Sequence, residues 1–108
     1  MIHEITDLNF EEQVLNAESA VLLSFGATWN APSKNLYPTL ERIGEKFAST
    51  LKIGKVDVVA APETTGKYVV RPILPTIVLV KNGEVLEKII GARNESDIIA
   101  TLRPHLDA

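Results

Sequence analysis

The stretch Val21–Ala27, reading VLLSFGA, constrains this chain more than any other. It is almost continuously apolar and opens on a β-branched residue. A strand that alternates apolar and polar residues is covered on one face, whereas an apolar run must be covered on both. The chain therefore has to supply helices for two faces of a sheet. Ile2–Thr6 is a short alternating segment suited to an edge strand. Asn9 followed by Glu12 resembles a capping box, and Phe10 and Val14 share one face, so a first helix is expected to run to about Ala17. Lys52–Val58 reads as a third strand, followed by a short helix over Pro62–Tyr68. Thr76–Val80 and Glu84–Ile90 flank Asn82-Gly83, the strongest short-range hairpin signal. Asn94 is placed to cap a last helix whose Ile98, Ile99, Leu102 and Leu106 face the core.

The resulting order is β-α-β-α-β-α-β-β-α. Strands separated by helices pair in parallel, and the Asn-Gly hairpin adds an antiparallel pair. The expectation is an α/β chain folded as a three-layer α/β/α sandwich with a mixed central sheet, one domain over residues 1–108. Its central helix carries a puzzle. Leu36, Leu40, Ile43 and Phe47 recur at helical spacing, Asn30 suits the N-cap, and Pro32 is tolerated in the first turn. Pro38, however, falls inside that helix, where a proline costs roughly 3 kcal/mol.

Composition narrows the function classes. The chain has no cysteine, which removes disulfides, thiolate metal sites and cysteine nucleophiles. A net charge of −3 with scattered lysines and arginines gives no support to nucleic acid or an anionic membrane as partner. No apolar run approaches the length of a membrane span. The opening MIHEITDLNF has neither the basic nor the apolar region of a signal peptide, so a cytoplasmic location is expected. The sequon Asn94-Glu95-Ser96 reads better as a helix start than as a glycan site. His3 and His105, far apart and near the termini, are expected to be unpaired surface residues and not metal ligands.

Several punctuating residues carry a resemblance that covers nearly the whole chain. Trp29 opens the segment W-N-A-P-S (Trp29, Asn30, Ala31, Pro32, Ser33), similar to the W-C-G-P-C of thioredoxins. Pro38 stands where that family has a helix-kinking proline. Leu74-Pro75-Thr76 resembles its loop bearing a cis-proline opposite the active site. Lys81–Glu84 matches its hairpin, and Gly91-Ala92 the turn that completes its substrate groove. The chain thus resembles the thioredoxin family, and the resemblance implies the thioredoxin fold.

The family's chemistry does not carry over with its frame. Thioredoxin activity needs a thiolate stabilised at a helix N-terminus and a second thiol to resolve the mixed disulfide. By resemblance those positions are Asn30 and Ser33, and the position of the family's buried acid is Ser24. The lysine usual beside that acid looks retained as Lys55. Loss of both thiols, the acid and the intervening glycine together reads as a natural redox-inactive member rather than a cysteine-replaced trap. No catalytic residue and no cofactor is implied.

What remains is a groove framed by Trp29, Asn30, Ala31, Pro32, Ser33, Leu74, Pro75, Thr76, Gly91 and Ala92. The leading expectation is a binding or adaptor module that takes an extended protein or peptide segment there, as a monomer or weak dimer. Trp29 is either a binding anchor or simply packed on its neighbouring loop. Asn30 could hydrogen-bond a partner's backbone, although a role as N-cap suffices for it. Ser33 could be a nucleophile or hold a thiol ligand, but with no His, Asp or Glu near it in sequence it reads as a first-turn hydroxyl. The backbone of Leu74 offers hydrogen bonds to an added strand, while a cis bond can equally be kept for the turn it fixes. Two departures from the family bear on the groove. Gly26 replaces a second tryptophan, and Arg71-Pro72-Ile73-Leu74-Pro75 looks one residue longer than the family's R-G-I-P. Alternative readings are a small anionic thiol such as glutathione bound at the helix N-terminus near Ser33, and a structural assembly subunit.

Overall fold

The computed structural model describes residues 1–69 and 73–106. Its elements are β1 (Ile2–Ile5), a single π-turn (Glu11–Leu15), β2 (Ala20–Gly26), α1 (Ala31–Asn35), α2 (Tyr37–Lys46), β3 (Leu51–Asp57), α3 (Pro62–Tyr68), β4 (Thr76–Lys81), β5 (Glu84–Ile90) and α4 (Glu95–Leu106). The five strands form one sheet in the order β1-β3-β2-β4-β5. β1, β3 and β2 run parallel, and β4 and β5 are antiparallel. The sheet is mixed and covered on both faces, as the VLLSFGA run requires.

Every residue of β2 is buried. Its alternate side chains go to opposite layers. Ala20 and Leu22 join Leu51, Ile53, Ile77 and Leu79 beneath α2 and α4, which contribute Leu40, Ile43, Ile98 and Leu102. Val21, Leu23 and Phe25 join Val56, Val78 and Val80 on the other face. There the covering residues are Phe10 and Val14 around the π-turn and Tyr68 of α3, whose ring lies 5.9 Å from that of Phe10 and 6.1 Å from that of Phe25. The hairpin turn places Asn82 at φ 53° and Gly83 at φ 81°, the left-handed pair that a two-residue turn demands.

The structure corrects three local expectations. Asn9 does not cap a helix running to Ala17: its Oδ1 accepts from the Thr6 N–H at 2.7 Å, and its amide donates to the Glu4 carbonyl at 3.0 Å. With the cap diverted, the segment winds only a π-turn, closed by Asn16 N–H donating to the Glu11 carbonyl at 2.9 Å. The central helix is two helices that meet at Leu36, so Pro38 sits in the first turn of α2, where no helical partner is lost. The interior-proline cost falls instead on Pro104, inside α4, which the sequence reading passed over. Finally, His105 is not unpaired: its Nε2 lies 2.8 Å from Glu87 Oε2, tying α4 to β5. Among the described residues no helix is long and apolar enough to cross a membrane.

Candidate functional site

The register gathers the sequence-predicted groove residues at one end of the sheet. Phe25 of β2 pairs with Thr76 at the start of β4, and Thr76 pairs with Ile90 at the end of β5. Residues 27–33, 74–76 and 91–92 therefore emerge at a common edge. The helix start is organised by Asn30. With an extended backbone (φ −102°, ψ 105°), its Oδ1 accepts from the Ser33 N–H at 2.9 Å and from Ser33 Oγ at 2.5 Å. Ser33 has no exposed surface. It packs under the end of β2, where a Cβ added to Gly26 would come 2.6 Å from the Ser33 Cβ. Gly26 and Ser33 thus require each other: helix and strand approach this closely only because residue 26 has no side chain.

Around this closed pair the rim is open. Trp29 is 70% exposed, which places its indole outside the core. Ala31, Pro32 and Ala92 are exposed, and Leu74 and Gly91 are half-buried. The Leu74–Pro75 peptide bond is cis. Pro75 and Thr76 are buried: the Pro75 carbonyl accepts from the Gly91 N–H at 2.8 Å, and Thr76 Oγ1 donates to the Ile73 carbonyl at 2.6 Å. Among the described residues the main chain of Leu74 takes no hydrogen bond. Arg71 and Pro72, two of the five residues of the lengthened loop read from the sequence, lie outside the described residues.

Beneath the helix start lies Ser24, whose buried Oγ has no hydrogen-bond partner among the described residues. Its strand neighbours are Lys55 and Ile77. Lys55 does not turn to it: the ammonium stands 5.5 Å from the centroid of the Tyr37 ring. The Tyr37 hydroxyl is pushed above its ordinary range by burial and then by the negative charge of Asp57. Among the described residues no group of three His, Asp or Glu side chains is placed to hold a metal ion.

With this edge geometry in view, the family model for thioredoxin matches residues 1–104. The chain belongs to the thioredoxin family. A thioredoxin of Listeria monocytogenes is 44% identical over 98 residues, covering 91% of this chain and 92% of its own. Thioredoxin C-2 of Corynebacterium nephridii is 42% identical over 95 residues, covering 88% and 87%. The thioredoxin of Buchnera aphidicola is 41% identical over 97 residues, covering 90% and 89%. Within this family the present chain is a member without a cysteine.

Sequence reasoning missed two parts of the site. The closeness of Gly26 and Ser33 has no signal in a single sequence, because six residues and a turn lie between them. Tyr37 and Asp57 went unnoticed beside Lys55, although Lys55 and Asp57 at i and i+2 of one strand had to share a face.

Proposed function

We propose that this chain is a redox-inactive member of the thioredoxin family that binds a protein partner non-covalently in the groove at the sheet edge, and is not an oxidoreductase. The observation that carries this reading is the Asn30–Ser33 pair. Disulfide exchange requires a thiolate to attack and a thiol to resolve. In their place stands an amide whose oxygen holds a buried hydroxyl. The frame around them supports binding: an exposed indole at Trp29, and at Leu74 a main chain with a free donor and acceptor for an added strand. The anionic-thiol reading needs the Ser33 hydroxyl at the surface. Its burial and its bond to Asn30 favour the groove instead.

Two measurements test it. The purified chain should not accelerate dithiothreitol-driven reduction of insulin above the uncatalysed rate; dithiol-dependent turnover would refute the reading. Peptides selected against the chain by phage display should then lose binding about tenfold or more in Trp29→Ala, the loss expected for an interface anchor. Selected peptides that bind wild type, Trp29→Ala and Pro75→Ala equally well would move the binding site elsewhere.

A further inference from the structure

Next to the groove, on the face covered by α1 and α2, lies a cavity of about 260 Å³ walled by Glu4, Gly26, Ala27, Thr28, Lys34, Tyr37, Lys55 and Asp57. Gly26 contributes only backbone to its wall, since the place of a side chain there is taken by Ser33, 2.6 Å from a Cβ built on residue 26. Its floor is the sheet. Glu4 of β1 is in register with Lys55 of β3, and Gly26 of β2 with Asp57 of β3. Adjacent strands stand about 4.8 Å apart, and same-face residues two apart on one strand about 6.6 Å. Negative, positive and negative groups therefore follow one another within the reach of one small head group. Lys34 and the Tyr37 ring close the space from the helix side.

None of these four charged side chains is in an ion pair within the described residues. Lys55 lies over the Tyr37 ring, and only the Oδ1 of Asp57 is used, by the N–H groups of Val59 at 2.8 Å and Ala60 at 3.2 Å. Two cations and two anions around one cavity, left unpaired by the fold, complement a molecule that carries both signs. A ligand of single charge would meet as much repulsion as attraction. The volume lies just under the roughly 300 Å³ at which pockets for drug-sized molecules begin, so the occupant is small. The Tyr37 ring and the backbone of Gly26–Ala27 offer it a flat apolar wall.

From these observations we infer that the cavity binds a free zwitterion the size of an aromatic amino acid. Its ammonium faces Glu4 and Asp57, its carboxylate faces Lys34 and Lys55, and its ring lies against Tyr37. This site is separate from the protein-binding groove and does not depend on it.

The test is an NMR titration of the 15N-labelled chain with L-phenylalanine, repeated with 2-phenylethylamine, which lacks the carboxylate, and with 3-phenylpropionate, which lacks the ammonium. Saturable amide shifts are expected at residues 26–28, 34, 37, 55 and 57. Each singly charged analogue should bind about tenfold or more weakly, as should the amino acid to Lys55→Met and to Glu4→Gln, since each loses one charge-assisted contact. Lys88→Gln, on β5 and remote from the cavity, should bind as wild type does. The spectrum of each variant reports whether it is folded. Absence of saturation, equal binding of all three compounds, or unchanged binding in both folded cavity variants would overturn the assignment, as would shifts confined to Trp29 and Leu74.

Discussion

Two buried hydroxyls of this chain, Ser33 at the start of α1 and Ser24 in β2, are treated by the fold in opposite ways. Ser33 is fully buried and fully engaged, its N–H and Oγ both held by Asn30 Oδ1. Ser24 is as deeply buried, and its Oγ makes no hydrogen bond among the described residues. The helix start has become a closed capping unit that contributes to stability. The position below it holds a polar atom left over in an apolar layer. One serine is built into a cap, and the other is merely tolerated by its surroundings.

Crowding the closed unit should have the largest effect. Gly26→Ala puts a methyl group 2.6 Å from the Ser33 Cβ, and overpacking of this kind costs about 1–3 kcal/mol, read as a lowered midpoint in urea unfolding. Gly26→Ala combined with Ser33→Gly should recover much of the loss, because the two residues share one space. An unperturbed single variant would show that the helix slides away freely, and the contrast with Ser24 would lose its structural basis. Asn30→Ala comes next. It removes the cap and strands the Ser33 hydroxyl, at a combined cost of about 1–2 kcal/mol.

At Ser24 the same kind of edit should change sign. Ser24→Ala deletes an unpartnered buried hydroxyl and is expected to stabilise the chain by about 1 kcal/mol. If Ser24→Ala instead destabilises as Asn30→Ala does, the Ser24 hydroxyl has a partner and the two sites are alike. The pair of experiments thus asks whether a serine's worth lies in its burial or in its bonds.

The architecture was legible because its signals are local and redundant. VLLSFGA could only be a strand covered twice, Asn82-Gly83 only a tight turn, and the stripe from Leu36 to Phe47 only a core-facing helical surface. The Asn30 cap was legible for the same reason, since donor and acceptor lie three residues apart. Errors arose where distant residues compete for a local group. Asn9 carries a capping signature, but Thr6 and the Glu4 carbonyl claim its side chain. His105 looked solitary because its partner, Glu87, lies across a helix–strand contact. Pro38 appeared costly only while one long helix was assumed. In the site, the rim residues came from punctuation that survives in sequence, whereas the Gly26–Ser33 contact and the charged cavity are products of packing.

A second helix cap refines the comparison, with a smaller effect. The carboxylate of Asp7 accepts from the Thr64 N–H at 2.8 Å, from Thr64 Oγ1 at 2.7 Å and from the Glu63 N–H at 3.2 Å, capping α3 from 57 residues away. Desolvation alone would raise its pKa, but these hydrogen bonds and the nearby Lys67 charge outweigh it and hold the carboxyl below its ordinary range. The folded state therefore favours the ionised form. The stabilisation is complete above the unfolded pKa of about 3.9 and is lost as pH falls through the lower folded value. Asn30, a neutral amide, caps α1 equally at every pH. Asp7→Ala should accordingly lower the thermal midpoint slightly at pH 7 and flatten the acid limb of the profile of midpoint against pH. Asn30→Ala should lower the whole profile without changing its shape. An acid limb unchanged by Asp7→Ala would mean that the carboxylate does not cap α3 through its charge, leaving Asn30 as the better cap in both strength and pH range.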